Sequence, residues 1–331
     1  FLTCFLLSLV GIVKSEKTEG VVVSIKPLHS MVSAIIGDTG EATLLLDNNT
    51  SPHDFQLKPS QLRTMYNSKV IFYIDDKFET FLTGVFESLP ERVSKYSVAH
   101  VKSLKTYEQR EGGAWEGHGH HHEEEHHHDK HHEEEHHHEK EGHHEEEHHH
   151  EEEGHHDEKH DNYDMHVWLD PTNAIKLVNF YTKELSKIFP SNKEVYLKNS
   201  KAYIEKITKL DLELKSILKG LQNKSYIVFH DAYQYFEKAY QLKAVGSITL
   251  EPNESPSPKR LLEIRRKIDK SEVLCIFREP QFSDRLVKIV VEGSKAKSGT
   301  IDPLGATIEP GEGLYLQLLK NMGLSIKSGL E

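Results

Sequence analysis

The sequence lacks the features that define several large classes of protein. It has only two cysteines in 331 residues, too few for a disulfide-rich scaffold. It has no basic excess, since 41 Lys and Arg stand against 53 Asp and Glu, and this excludes a general nucleic-acid binder, which needs a basic face. It also has no apolar run near the roughly 20 residues that a membrane-spanning helix needs. A chain of this length is expected to form two lobes.

The longest apolar run lies at the start, where residues 1–13 read FLTCFLLSLVGIV before Lys14 ends the run. Such a run is typical of the apolar region of a secretory signal peptide. We expect residues 1–15 to be a signal peptide, a partial one because no basic segment precedes the run, and the mature chain to begin near Glu16. A lipoprotein cysteine follows the apolar core, whereas Cys4 precedes it, so no lipid anchor is predicted. The mature protein is expected to be exported and soluble.

Histidine is the residue in excess, because 20 of the 25 histidines lie in the 43 residues from His118 to His160. This segment repeats HHEEEHHH and holds 17 Asp and Glu and 3 Lys, which gives it a net charge of -14 and leaves +2 for the rest of the chain. It contains no apolar residue, so burial cannot offset the entropy of ordering it. Residues 117–160 are therefore predicted to form a disordered His/Glu-rich loop inserted into the first lobe.

Short apolar runs alternate with helical patterns elsewhere. The predicted strands cover 21–25, 42–46, 70–74, 226–229 and 273–277, and the predicted helices cover 27–36, 61–66 after a Ser60 cap, 78–89, 171–189, 231–240 and 258–268. This alternation predicts an α/β fold with mostly parallel sheets covered on both faces.

One helical pattern is longer than a crossover usually needs. Apolar residues recur at threes, fours and one seven from Leu197 to Leu221, and Ser191 with Glu194 matches the S-x-x-E capping box. We predict a linker helix at 191–220, roughly 42 Å long. It joins an N-terminal lobe at 16–190 to a C-terminal lobe at 221–331. A crossover helix within one lobe is the alternative.

Three of the five histidines outside the loop adjoin predicted strands or loop edges. His230 directly follows the apolar run YIVF, His53 lies in NNTSPHDF after a predicted strand, and His166 precedes VWLDP. Ligands of open α/β sheets bind beyond the carboxyl ends of strands. Three imidazoles with a carboxylate or water as fourth ligand are a common zinc arrangement. Asp302 is the candidate carboxylate, with water as the alternative. Each histidine taken singly also fits an ordinary surface position.

The motifs SPHDFQLKPS, HVWLDP, FHDAYQYFEK, REPQF and IDPLG occur in this order. With them, nearly the whole mature chain resembles the ZnuA-type zinc-specific solute-binding proteins of bacterial ABC importers. The resemblance implies two (β/α) lobes bridged by one long rigid helix, with the metal site in the interlobe cleft. The family's three zinc histidines fall on His53, His166 and His230. Manganese-specific relatives carry a carboxylate at the last position, which agrees with the preference of Mn for oxygen and the suitability of imidazole for Zn.

The resemblance leaves two points open. The family's fourth ligand varies: a Glu just before the first histidine serves in some members, but Pro52 stands there, whereas Asp302 matches the carboxylate of other members. Zinc-branch proteins also often carry a disulfide from the strand of Cys275 to the C-terminus. No cysteine follows Cys275, so we predict a buried free thiol. His29 and His100 match no ligand motif and are predicted to be structural.

The function implied is capture of Zn²⁺ in the periplasm by a monomer that delivers it to an inner-membrane ABC permease, without enzymatic activity. The His/Glu-rich loop is expected to be a low-affinity zinc collector or sensor, and a functionally silent tract is the alternative. Two other functions compete. One is a periplasmic zinc buffer or surface adhesin without a transporter. The other is a zinc hydrolase, but the sequence has no HExxH-type motif to supply a general base.

Overall fold

The structure, a computed structural model, describes residues 16–46, 51–110, 115, 163–249 and 255–331. The predicted signal peptide at 1–15 and the predicted loop at 117–160 lie outside the described residues. No helix in the described part is both long and apolar enough to cross a membrane.

Two four-stranded parallel sheets form the frame of the molecule. The first consists of β1 (Thr18–Val23), β2 (Gly40–Leu44), β3 (Val70–Tyr73) and β4 (Ser94–Ser97), and the second of β5 (Ser225–Val228), β6 (Lys243–Ser247), β7 (Cys275–Arg278) and β8 (Lys297–Thr300). Their strand orders are β2-β1-β3-β4 and β6-β5-β7-β8, so both have the same topology. We call the parts built on them the first and the second lobe. The predicted α/β fold with parallel sheets is confirmed.

The strand order determines where a ligand can bind. In both sheets the chain turns to opposite sides after the first strand, which places the topological switch point between β1 and β3 and between β5 and β7. A crevice opens at such a point beyond the carboxyl ends of the strands. The central strands are apolar because helices cover both faces, and Val21, Val22 and Val23 of β1 are at most 1% exposed.

Nine helices occur in the described part. They are α1 (Lys26–Ile36), α2 (Pro59–Tyr66), α3 (Val85–Ser88), α4 (Pro171–Ile188), α5 (Lys193–Ile217), α6 (Gln234–Tyr240), α7 (Pro258–Lys270), α8 (Arg285–Val291) and α9 (Leu314–Leu330). Proline stands in the first turn of α1, α2, α4 and α7, where its fixed φ suits the helix and no N–H is required. Side chains of Asp170 and Ser257 cap α4 and α7.

The predicted long helix is α5, which has 25 residues and is about 37 Å long. Its buried residues are spaced by four and three along a single stripe: Tyr196, Ser200, Tyr203, Ile207, Leu210 and Leu214. This stripe packs against α1, α4 and α9. The predicted capping box is wrong, because Ser191 lies in the 3-10 turn Pro190–Asn192 and Asn192 at the N-cap makes no side-chain cap bond.

Two other local predictions are wrong. The segment 78–89 contains a 3-10 turn (Thr80–Leu82) and the single-turn helix α3 instead of one continuous helix. Gly84 between them has a φ of 75°, a left-handed conformation that interrupts a right-handed helix. Ser60 is not the cap of α2, because Lys58 occupies the N-cap and its N–H donates to Gln61.

The two lobes share an apolar core. One cluster of buried side chains extends from β1 and α1 through α4 and α5 to β5, β7 and α9. Hydrogen bonds also join the two lobes. Trp168 Nε1 donates to the carbonyl of Pro303 at 2.9 Å, and the Tyr315 hydroxyl donates to the carbonyl of Trp168 at 2.8 Å. A smaller cluster lies on the other side of the second sheet, beneath α7 and α8. The lobes are thus joined by a packed interface in addition to α5.

Cys275 is a buried free cysteine, as predicted, and burial raises the pKa of its thiol to about 12. Helix α9 packs closely on this cysteine. A Cβ atom added to Gly329 of α9 would lie 2.8 Å from the sulfur of Cys275. The lack of a side chain at Gly329 therefore lets α9 pack closely on β7.

Candidate metal centre

Three separate loops bring three histidines together. His53 lies in the 3-10 turn Pro52–Asp54 after β2, where its backbone N–H donates to Ser51 Oγ at 3.3 Å. His166 directly precedes the 3-10 turn Val167–Leu169, which leads into α4. His230 follows β5 by two residues, at the switch point of the second sheet. The first lobe thus contributes two imidazoles and the second lobe contributes one.

The imidazoles lie close enough to hold one metal ion. One ring nitrogen from each of His53, His166 and His230 lies within 4.8 Å of the others, and the ring centroids are 5.4 to 6.1 Å apart. The cavity between them has a volume of about 10 Å³, which is about the space of one water-sized particle. Residues from both lobes complete its wall: Ser51, Pro52, Phe78, Glu279, Gln281, Phe282, Pro303 and Leu304.

Two buried carboxylates orient two of the rings. His166 Nδ1 donates to Asp164 Oδ1 at 2.8 Å, and His230 Nδ1 donates to Glu279 Oε1 at 2.5 Å. An ionised carboxylate can only accept, so each Nδ1 carries the proton and each Nε2 keeps a lone pair. This is the tautomer that a metal ligand needs, and such a carboxylate also makes the imidazole a better donor.

The same carboxylates supply the charge balance of the site. Asp164 and Glu279 are 4% and 1% exposed, and in its ionised form each places a negative charge close to the imidazoles with little screening by water. A divalent cation placed without water among neutral ligands is costly unless opposite charge lies near it. Two carboxylates offset the two positive charges of such an ion, and the site therefore favours a divalent cation over a monovalent one.

His53 is held neutral by its surroundings. Its ring packs against Phe78 with centroids 4.5 Å apart. Burial, together with the neighbouring imidazoles of His230 and His166, lowers the pKa of His53 to about 2. Its lone pair is thus available at neutral pH without loss of a proton.

The fourth predicted ligand, Asp302, is not part of this group of three among the described residues. Its Oδ1 accepts hydrogen bonds from the backbone of Leu304 and Gly305 at 3.1 and 2.9 Å and from Gln281 at 3.3 Å. Burial raises the pKa of its carboxyl group, and Oδ2 is buried without a hydrogen-bond partner in the described part of the chain. The residues that follow it, Pro303 and Leu304, line the cavity. Asp302 as a metal ligand stays a prediction.

The two remaining histidines outside the loop make other contacts. His29 Nε2 lies 3.0 Å from the carbonyl of Ala42, and His100 Nε2 lies 2.7 Å from Asp75 Oδ2. Neither belongs to the group of three within the described residues.

Sequence reasoning missed the carboxylates that orient the rings. Glu279 belongs to REPQF and directly follows β7, the strand beside β5, so the rule that selected His230 also applies to Glu279. Asp164 lies two residues before His166, close enough to reach its ring through the local chain path. Both signals were present in the sequence.

Two parallel α/β lobes with a buried imidazole cluster in the cleft between them define a two-lobed, metal-binding solute-binding protein. The family model described as zinc-uptake complex component A periplasmic, ZnuA, matches residues 21–329. The chain belongs to this family.

Individual relatives agree with this assignment. The chain is 43% identical over 328 residues to the high-affinity zinc uptake system protein ZnuA of Brucella abortus, covering 99% of this chain and 96% of the relative. It is 37% identical over 307 residues to the protein of the same description from Paracoccus denitrificans, covering 92% and 90%. A crystal structure of ZnuA matches with a TM-score of 0.71 at 21% identity, covering 96% of this chain and 100% of the other. At that identity it supports the fold.

The orienting role of Glu279 can be measured. Glu279→Gln preserves the shape of the side chain but removes its charge, so we expect metal affinity to fall by roughly 10- to 100-fold. The measurement is a chelator-competition titration with Zn²⁺. Glu263→Gln on the exposed side of α7 is the matched control and should leave the affinity unchanged. Equal affinities in the two variants would contradict the role of Glu279.

Proposed function

We propose that this chain is the extracytoplasmic zinc-binding component of a bacterial zinc importer. In this proposal it binds Zn²⁺ in the periplasm through His53, His166 and His230 and delivers the ion, as a monomer, to an inner-membrane ABC permease. The observation that carries the proposal is the cluster of three imidazoles from both lobes, two of them oriented by buried carboxylates. The lobes are taken as 16–190 and 221–331, with 191–220 as the linker.

The donor set supports zinc as the cargo. Nitrogen donors suit zinc and other late transition metals, whereas Mg²⁺, Ca²⁺ and Mn²⁺ prefer oxygen ligands. Three imidazoles leave one position of a tetrahedral zinc shell for a fourth ligand. Asp302 or a water molecule is proposed for that position. Asp302 is favoured by its buried Oδ2 and by the place of its loop in the cavity wall.

The dimensions of the site support binding over catalysis. A cavity of about 10 Å³ has about the space that one small ion needs. A hydrolase would also need an open coordination position next to a general base, and the carboxylates of Asp164 and Glu279 are already engaged with Nδ1 of the ligand imidazoles. The family consists of substrate-binding components of transport systems and is not an enzyme family.

The ligands divide between the lobes, and this division suits transport. A bound ion ties His53 and His166 of the first lobe to His230 of the second. Binding is then coupled to the relative position of the lobes, which a permease can recognise. For the His/Glu-rich loop at 117–160 we propose weak zinc binding that supplies or buffers the cleft. The loop ends six residues before His166 in the sequence, and this closeness along the chain supports the proposal.

A zinc titration tests the site directly. We expect the mature chain without residues 117–160 to bind one zinc ion tightly in a chelator-competition titration. His230→Ala in the same background removes one of three protein ligands, and its affinity should fall by roughly 100-fold or more. His100→Ala, which removes an exposed imidazole outside the cluster, is the matched control.

The complete mature chain, titrated in parallel, should bind additional ions more weakly. Absence of tight binding in the shortened chain would place the metal chemistry in the loop and favour a zinc buffer. An unchanged number of ions in the complete and the shortened chain would contradict the collector role of the loop.

The pH dependence of binding tests the imidazole ligands. Zinc affinity should weaken as pH falls through about 6, because imidazole must be neutral to bind. The lowered pKa of His53 means that the folded protein does not protonate this ring near pH 6.5, where the unfolded chain does. The free energy of unfolding of the metal-free protein is therefore unaffected by this shift above about pH 6.5. It decreases as pH falls from there towards the folded-state pKa of His53 of about 2.

His53 is thus already neutral in this pH range and releases no proton when zinc binds. Measured on the chain without residues 117–160, the logarithm of the affinity plotted against pH from 7 to 5 should have a slope below the limiting value of about three expected for three ordinary imidazoles. A slope of about three would contradict the neutral state of His53. An affinity independent of pH down to 5 would contradict ligation by histidine.

Growth under zinc starvation distinguishes the importer from the alternatives. A bacterium that has lost the gene for this chain should grow poorly when zinc is chelated and recover when zinc is added back. Complementation with the unaltered gene should restore growth, and complementation with His230→Ala should not. Normal growth of the deletion strain would favour a zinc buffer or an adhesin without a transporter.

A further inference from the structure

A short segment at the base of the His/Glu-rich loop connects the two lobes. We call residues 104–110 the strap. The strap pairs with the chain that returns from the loop: Glu108 and Tyr163 form an antiparallel bridge, and the N–H of Asp164 donates to the carbonyl of Tyr107 at 2.9 Å. The two ends of the loop insertion are thus held together as one unit, which includes the carboxylate that orients His166.

This unit lies against α6 of the second lobe. Gln234 Nε2 donates to the carbonyl of Glu108 at 2.9 Å and lies 3.4 Å from Asp164 Oδ2. The Tyr235 hydroxyl donates to the carbonyl of Asp164 at 2.7 Å, and its ring packs against Tyr107 with centroids 5.0 Å apart. The position of Asp164 therefore depends on side chains of the second lobe.

Arg110 makes the charged contacts between strap and second lobe. Its Nε lies 3.0 Å from both carboxylate oxygens of Asp231, Nη2 also donates to Asp231, and Nη1 donates to Glu237 Oε2 at 2.5 Å. The side chains of Arg110, Asp231 and Glu237 are 17%, 9% and 6% exposed, so water screens them weakly. The guanidinium also stacks on Trp115, 3.6 Å from the ring centroid.

The contacts of Arg110 lead to metal ligands on both sides of the cleft. Asp231 is the residue after His230, and the strap holds Asp164, whose carboxylate orients His166. We propose that Arg110 is a positioning residue for zinc binding: by joining the strap to Asp231 and Glu237, it keeps His230 of the second lobe at ligand distance from His166 of the first. This inference rests on the proposed function of the three-histidine site.

A planar guanidinium is suited to this task. Its donors form a fork that bonds two carboxylates at once with fixed direction, whereas a lysine ammonium is a point charge on a flexible stem. Arg110→Lys therefore keeps the charge that compensates the two buried carboxylates but loses the fixed geometry. A side chain that only neutralised charge would tolerate this substitution, and a positioning side chain would not.

The test uses the complete mature chain with one equivalent of metal. Zn²⁺ dissociation is followed after addition of excess chelator, and Co²⁺ bound in place of zinc reports ligand geometry through its visible absorption. For Arg110→Lys we expect dissociation roughly tenfold faster and an altered Co²⁺ spectrum. Lys105→Gln is the matched control on the same strap, because Lys105 is half exposed and pairs with Asp170 of its own lobe. It should leave rate and spectrum unchanged.

A dissociation rate within about twofold of the unaltered chain and an unchanged Co²⁺ spectrum in Arg110→Lys would overturn the inference. If Arg110→Lys does not unfold cooperatively, Glu237→Gln is measured instead, with the same two criteria. Glu237→Gln weakens the bond between Arg110 and Glu237 and leaves the bond from Arg110 to Asp231. Failure of the unaltered chain to bind zinc tightly would instead refute the proposed function, so the two failures are distinguishable.

Discussion

The hydrogen bond between an imidazole of the proposed metal site and a buried carboxylate is the interaction on which the rest of the site depends. An imidazole binds zinc only through an unprotonated nitrogen, and a buried ring holds the required tautomer when an acceptor fixes its other proton. Glu279 does this for His230 and Asp164 does it for His166. The parallel topology supplies the first pair directly, because β5 and β7 are neighbours and end at the same edge of the sheet.

The second constraint is that ligands from two lobes must meet at atomic distances. Helix α5 is about 37 Å long and is one of several connections that hold the lobes in place. The shared apolar core and the strap are further connections. The loop that follows Asp302 is also anchored from the first lobe, where buried Lys26 donates to the carbonyls of Gly305, Ala306 and Ile308 at 3.4, 2.9 and 3.2 Å.

The features predictable from sequence are those encoded locally. Apolar runs located the buried strands, and the position of His230 after such a run indicated its role. The strands β4, β6 and β8 were missed because they lie at the edges of the sheets and are rich in polar and small residues, so no apolar run marks them. Glu279 could have been found by the rule that selected His230, since it directly follows β7. Arg110 was missed because its partners are at least 121 residues away in sequence, and no local pattern encodes such a pairing.

The proposed function requires release of the ion as well as tight binding. In the proposed site two carboxylates offset the charge of the buried cation, and three imidazoles surround it. Dissociation of the ion from this arrangement is unfavourable. Because His230, together with the proposed fourth ligand Asp302, comes from the second lobe, a small displacement of that lobe would remove second-lobe ligands from the ion and admit water without breaking either sheet. The contacts that resist this displacement lie at Arg110, at the Trp168–Pro303 hydrogen bond and at Lys26. In the proposed function, a permease that loosened these contacts would weaken zinc binding, so retention and delivery would depend on the same interface.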